Sequence, residues 1–134
     1  MNLDELALQA GVRVRTAPVP PGFWGLYDHA HKLITIKPDL GRIQYNYALA
    51  HELGHAHYGH HGHNAKYERM ADKWAALNLI TFDNLLEHSR SSMDRLTVAS
   101  SLGVLPKVLE TYIEYCINAK QAVTLLNHLA DLHT

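Results

Sequence analysis

The sequence has only one cysteine, Cys116, so an intrachain disulfide framework is excluded. Its 12 basic and 13 acidic residues leave a net charge of −1, which gives no reason to expect binding to nucleic acid or anionic lipid. No apolar run approaches the ~20 residues of a membrane span, and the acidic N-terminus is unlike a secretion signal. We therefore expect a cytoplasmic protein with no direct nucleic-acid or membrane partner.

The N-terminal third combines a helix with short strands. Apolar residues at helical spacing predict a helix from Leu3 to Ala10, which Gly11 ends. Alternation around Val12 and Val14 predicts a short strand. The apolar and β-branched segments 25–28 and 32–37 flank a short polar break and predict a hairpin. We expect a small antiparallel sheet within residues 1–41. Segment 33–37 of this sheet either offers an edge that aligns a substrate peptide or only packs on the helix predicted at 42–58.

The rest of the chain has helical periodicity. Helices are predicted at 42–58 and 65–79, followed by a short helix capped by Thr81 and another capped by Ser91 or Ser92. Pro106 suits the first turn of a long amphipathic segment that extends to Leu129. These patterns predict an α+β protein with a single domain, 1–134, made of an N-terminal part (1–41), a helix pair (42–80) and C-terminal helices (81–134).

The chain has eleven histidines, and most of them lie between His29 and His63. Within this region, His51 and His55 are four residues apart on a predicted helix, so both imidazoles can reach one metal ion. Glu52 flanks that position and can take a proton from water that the metal activates. The buried character of the helix favours a metal site over a chance occurrence, and Zn²⁺ is the expected cofactor of such a donor set.

A catalytic zinc ion needs a third protein ligand, and two residues compete for this role. Glu68 lies on the next predicted helix, and Asp72, one turn later, could accept the free N–H of a zinc-binding histidine. His61 has the spacing of a third histidine ligand, but Tyr58 stands where that pattern requires glycine, which favours Glu68. We expect the remaining loop histidines (His57, His60, His63) to be solvated or to bind metal weakly, with His60 as a candidate donor to a developing oxyanion.

The segment from Gly25 to about Ala76 resembles the ImmA/IrrE family of zinc metallopeptidases. The matching features are Gly25-Leu26-Tyr27-Asp28, the stretch around His51-Glu52-Leu53-Gly54-His55, Gly59-His60, and Glu68-Arg69-Met70-Ala71-Asp72-Lys73-Trp74-Ala75-Ala76. The resemblance implies a zincin-like, gluzincin-type core with zinc on His51, His55 and Glu68, and Glu52 as catalytic acid/base. It also implies cleavage of a helix-turn-helix repressor, which would release phage, mobile-element or stress genes.

Two other functions remain open. The same fold could serve as a binding module that sequesters a repressor or toxin without cleaving it. The spacing of apolar residues from Leu96 to Tyr112 also loosely fits a helix-turn-helix, and hence a DNA-binding regulator with a structural zinc. Against this second reading, the segment after Pro106 carries Glu110 and Glu114 beside Lys107, an acidic balance that disfavours phosphate contact.

Overall fold

The computed structural model describes residues 2–89 and 94–131. The chain divides into two compact units, Met1–Ala75 and Ala76–Thr134. Helices combined with one small sheet confirm the predicted α+β class. The assignment of all 134 residues to one domain stays a prediction. Within the described ranges, no helix has both the length and the apolar run that crossing a bilayer requires.

The first unit contains a short helix, a three-stranded sheet, the helix that carries His51 and His55, and most of the helix that carries Glu68. Its elements are α1 (Leu3–Gln9), β1 (Arg13–Thr16), β2 (Gly25–Asp28), β3 (Leu33–Ile36), α2 (Arg42–Tyr58) and most of α3 (Ala65–Leu79). The Asn2 side chain caps α1 by accepting from the Asp4 N–H at 2.8 Å. Gly11 follows that helix with a φ of +69°, as the sequence predicts.

The sheet is mixed, with β3 in the centre. β2 and β3 form the predicted antiparallel hairpin, but β1 pairs with β3 in parallel, so the sheet is not wholly antiparallel. Both edges of β3 are therefore occupied, so of the two roles expected for segment 33–37 the open edge is wrong, and the strand packs on α2 instead. Ile34, Thr35 and Ile36 are all buried, which fits a central strand. The edge strands of the described residues are β1 and β2.

The sheet positions α2, because α2 packs against both β2 and β3. Apolar residues from the strands and from the middle of the helix make the core of this unit (Ala7, Val12, Ile34, Ile36, Ala48, Leu49 and Leu53). Residues 48–55 of α2 are all buried, including the three polar side chains of the metal-binding pattern. Burying polar side chains costs free energy unless they have hydrogen-bond partners within the protein or bind an ion.

Helices α2 and α3 approach each other closely at Gly54. A Cβ atom added to Gly54 would lie 3.0 Å from both the Cα and the carbonyl oxygen of Ala71. These are backbone atoms of a packed helix, so they cannot move aside as a flexible side chain would. The absence of a side chain at Gly54 therefore sets how closely the two helices approach.

We expect Gly54→Ala to destabilise the protein by about 1–3 kcal/mol, the usual cost of inserting a methyl group into packed backbone. The intrinsic preference of alanine for helices would offset at most about 1 kcal/mol of this. Urea unfolding of the metal-free variant measures the difference. Gly41→Ala is the matched control, because its new methyl would meet only the Gln44 side chain, at 3.6 Å. A Gly54→Ala protein as stable as the original would contradict the close-packing argument.

The second unit consists of short helices. They are α4 (Phe82–His88), α5 (Arg95–Leu102), α6 (Pro106–Thr111), a single π-helical segment (Tyr112–Cys116) and α7 (Ala119–Asp131). Thr81 caps α4 as predicted, through a 3.1 Å bond from the Asn84 N–H. Ser91 and Ser92, the expected caps of the next helix, lie outside the described residues, and Asp94 caps α5 by accepting from the Thr97 N–H.

The long amphipathic helix expected from Pro106 to Leu129 is interrupted. Ile117 is extended, with φ −97° and ψ 146°, and a new helix follows it. Asn118 and Gln121 form a reciprocal capping box, in which each side chain accepts from the backbone N–H of the other, at 2.8 and 3.0 Å. This local signal outweighs the apolar periodicity that runs across the break.

The helix pair considered as a helix-turn-helix is present as α5 and α6, separated by Gly103, whose φ is +74°. α6 has only six residues, and the chain continues directly into the π-helical segment. Nη1 of Arg95 in α5 lies 3.7 Å from Oε1 of Glu110 in α6, so the positive charge of this arginine faces a negative charge. Binding of this pair to DNA stays a prediction from the sequence.

Candidate metal centre

Helix α2 presents two imidazoles to one point. His51 and His55 are one turn apart, and their Nε2 atoms lie 3.2 Å from each other. Only 7% of His51 and 3% of His55 is exposed. Two ring nitrogens that face each other at this distance in a buried site are a suitable pair of metal donors.

Helix α3 brings the carboxylate of Glu68 to the same point. Its Oε2 lies 2.8 Å from Nε2 of His51, and its Oε1 lies 3.1 Å from Nε2 of His55. Glu68 is in the first turn of α3, seventeen residues after His51, so the close approach of the two helices at Gly54 is what allows it to reach the imidazoles. The structure thus brings together the donor atoms of the three expected ligands.

His51 is oriented by a contact on the other side of its ring. Its Nδ1 lies 2.8 Å from Oδ1 of Asp72, and the hydroxyl of Tyr47 donates to the same carboxylate oxygen at 2.6 Å. Asp72 therefore holds the His51 ring with Nε2 directed at the cluster, as the sequence predicts. Tyr47 was not singled out from the sequence, although its position four residues before His51 places it on the same helix face.

His60 orients the second imidazole. Its Nδ1 lies 2.9 Å from Nδ1 of His55, and its ring stacks on Tyr67 with centroids 3.9 Å apart. When Nε2 of His55 is a donor to a metal, its proton is on Nδ1, so His60 must accept that hydrogen bond in its neutral form. Burial lowers the pKa of His60, which favours the neutral form. Its expected role as an oxyanion donor stays a prediction.

Glu52 is the buried carboxylate beside the cluster. It is 5% exposed, and its Oε1 has no hydrogen-bond partner in the described structure. A Cβ atom on Gly25 would lie 3.2 Å from Cγ of Glu52, so β2 crosses close to this side chain because it has glycine there. Burial raises the pKa of Glu52 to about 7. An unpartnered carboxylate with this pKa is suited to exchanging a proton near neutral pH.

The charges of the cluster favour a cation. Burial alone would lower the pKa of His51, but the hydrogen bond to Asp72 and the nearby carboxylates raise it overall. Burial and the neighbouring His51 lower the pKa of His55 to about 4, which keeps its ring neutral. Burial would raise the pKa of Glu68, but His51 and the other imidazoles reverse this shift. Two imidazole nitrogens and a carboxylate fit three ligands of a divalent metal ion, with the unpartnered oxygen of Glu52 beside them.

The two remaining loop histidines differ in their position relative to the cluster. His61, the rival third ligand, is exposed, and its ring contacts His29, with centroids 4.6 Å apart, rather than the cluster. His63, expected to be solvated or to bind metal weakly, places Nδ1 3.2 Å from Oε1 of Glu68. Gly59 and Gly62, with φ of +67° and +77°, turn the chain between these residues. The sequence shows both glycines, but not which histidine their turns direct inward.

The raised pKa of Glu52 predicts a pH-dependent stability. Between pH 4.5 and about 7 the folded state binds more protons than the unfolded state, so stability falls as pH rises through this window and levels off above it. The metal-free Glu52→Gln variant lacks this titration, so its stability relative to the original protein should rise by at most about 3 kcal/mol as pH rises through this window. Urea unfolding with a chelator, from about pH 5 to 8, measures this. A difference between the two proteins that does not change with pH would contradict it.

Comparison with known families identifies the family of the chain. The family model for the peptidase M78 group, described as the IrrE N-terminal-like domain, matches residues 7–113, which include every residue of the cluster. Searches of curated proteins and of solved structures found no match. The match covers most of the chain and confirms the expected family. The chain belongs to the IrrE N-terminal-like family of peptidases.

Proposed function

We propose that the protein is a zinc-dependent metalloendopeptidase that cleaves a helix-turn-helix transcriptional repressor and so releases phage, mobile-element or stress genes. One observation carries the peptidase part: the donor atoms of His51, His55 and Glu68 lie within hydrogen-bonding distance of one another, beside the unpartnered carboxylate oxygen of Glu52. The peptidase family supports the class of reaction. The repressor rests on the resemblance to ImmA/IrrE proteins.

Zinc is the ion that this donor set favours. Histidine nitrogens and a carboxylate oxygen are typical of catalytic zinc sites with three protein ligands. When bound, such an ion supplies Lewis acidity that polarises a peptide carbonyl and activates water. His51, His55 and Glu68 would hold it, while Asp72 and His60 keep the two imidazole rings in place.

Glu52 carries the proton transfer. Its Oε1 has no hydrogen-bond partner in the described residues, so this carboxylate can accept a proton from the attacking water and then donate it to the departing amine. Gly25 of β2 lies close to this side chain, and only 5% of Glu52 is exposed, so bulk water has little access to it.

The substrate peptide would bind in extended form along β2. β3 has both edges paired, whereas β2 has one edge unpaired within the described residues, and β2 contacts Glu52 at Gly25. An extended peptide can add to such an edge through main-chain hydrogen bonds. This assignment moves the proposed docking strand from segment 33–37 to Gly25–Asp28.

The experiment is incubation of the purified protein with a helix-turn-helix repressor encoded beside its gene. We expect cleavage into two discrete fragments, its loss with a chelator, and its return when Zn²⁺ is added. Intact-mass analysis identifies the cleaved bond. An uncleaved repressor that nevertheless co-purifies with the protein, equally well with Glu52→Gln, would instead support the sequestering module. Salt-sensitive binding to DNA by the protein alone would support the regulator.

A further inference from the structure

His63 is a loop histidine whose ring reaches the carboxylate of Glu68 in the candidate metal centre. Its Nδ1 lies 3.2 Å from Oε1 of Glu68, the carboxylate oxygen that is itself 3.1 Å from Nε2 of His55. The potential donor atoms of His55, His63 and Glu68 all lie within 4.8 Å of one another. His63 is therefore close to two members of the His51–His55–Glu68 cluster, namely His55 and Glu68, although it plays no part in the function proposed above.

The local backbone holds His63 at this position. Gly62 has a φ of +77°, a conformation that favours glycine, and the chain turns there just before α3. Asn64 then caps the helix by accepting from the Tyr67 N–H at 2.9 Å. The Phe23 ring packs against His63, with centroids 5.2 Å apart. His63 therefore precedes a capped helix start and has an apolar neighbour, which is more restraint than a solvated loop side chain has.

The distances suit a shared ion. Two ligands of one tetrahedral zinc ion, each about 2.1 Å from it, lie roughly 3.4 Å apart. The donor atoms of the pairs His51–His55, His55–Glu68 and His63–Glu68 are separated by 3.2, 3.1 and 3.2 Å, close to this value. Nε2 of His51 and Oε2 of Glu68 are closer, at 2.8 Å. The separation of His63 from Glu68 thus matches those of the expected ligands His51 and His55 from their neighbours.

We infer that His63 is a fourth protein ligand, which closes the coordination sphere of the metal in the substrate-free protein. This inference rests on the metal site of the proposed function. Structural zinc sites have four protein ligands, whereas catalytic sites keep one position open. With His63 bound, the centre has the closed form, and departure of His63 opens the position that catalysis needs.

His63 is the ligand best able to leave. Its side chain is 42% exposed, compared with 9% for His51 and 3% for His55. It also follows directly after Gly62, on a loop rather than on the packed helix that carries the other two imidazoles. A peptide that binds along β2 reaches the cluster from the side of the contact with Glu52, and displacement of the exposed ligand would couple substrate binding to opening.

The test uses Co²⁺ in place of Zn²⁺, because its visible absorption reports the ligand set. His63→Ala should bind Co²⁺ about 10-fold or more weakly than the original protein, with an altered absorption spectrum that shifts further when azide is added. His61→Ala, the neighbouring histidine that contacts His29 instead, is the control and should match the original protein. Far-ultraviolet circular dichroism checks that each variant is folded.

Each outcome separates this inference from the proposed function. Equal Co²⁺ affinity and an unchanged spectrum in His63→Ala would overturn the fourth ligand and leave the three-ligand peptidase intact. An azide response as large in the original protein as in His63→Ala would also overturn it, because that response needs an open position. Absence of cleavage by the original protein would count against the peptidase but not against His63, since this readout measures only the metal.

Discussion

Glu52→Gln should lower the rate of repressor cleavage by about 10³-fold or more while the protein still binds Zn²⁺. General acid/base groups typically contribute 10²–10⁴-fold to a rate, and Glu52 is the one buried carboxylate beside the cluster in the described residues that lacks a partner for an oxygen atom. Glutamine keeps the shape of the side chain but cannot accept the proton. The measurements are kcat/KM on the cleavable repressor and the metal content after dialysis.

Two comparisons make this result specific. Glu5→Gln changes an exposed glutamate of α1 in the same way and should cleave at the original rate. A Glu52→Gln protein that retains metal and full cleavage would eliminate Glu52 as the proton carrier. Loss of both cleavage and metal would mean that Glu52 is itself a ligand, and the assignment of Glu68 would then need to be revised.

Glu68→Ala should weaken Zn²⁺ binding by more than about 100-fold, whereas His61→Ala should leave it unchanged. Even residues that only orient metal ligands typically contribute 10- to 100-fold to affinity, so loss of a direct ligand should exceed that range. The structure favours Glu68, since its two oxygens lie 2.8 and 3.1 Å from the imidazoles. Competition titration with a chromophoric chelator measures both variants.

The opposite pattern would support the histidine-ligand alternative. If His61→Ala lost the metal and Glu68→Ala kept it, the loop would have to move so that His61 leaves its contact with His29. Because Glu68 is partly exposed at the start of α3, its replacement should not prevent folding. Unfolding curves of the metal-free variants therefore distinguish lost ligation from lost structure.

The local parts of this site could be read from the sequence, because helical periodicity is a short-range property. The four-residue spacing of His51 and His55 and that of Glu68 and Asp72 each define one helix face. The capping residues Asn118 and Gln121 are also visible in the sequence, but apolar periodicity continues on both sides of them and predicts one long helix. In the structure a new helix starts at this capping box, so here capping outweighs periodicity.

The long-range parts were not readable in the same way. β3 is central because β1 pairs with it in parallel, although β2 lies between them in the sequence. No pattern within β1 specifies this partner. The loop histidines depend on two glycines with positive φ, which turn His60 and His63 toward the cluster and leave His61 outside it. Among these three histidines, spacing along the chain favours His61 as a ligand, and His61 is the one that the structure leaves outside the cluster.

The contact of Gly54 with Ala71 has a consequence for how the metal centre fails. His51 and His55 lie on one side of this contact and Glu68 on the other, so the distance between two backbones sets the span that the ion must bridge. Metal affinity therefore depends on the spacing of the two helices. A variant that widens this gap by a few tenths of an ångström would release its ion while both helices were still fully wound.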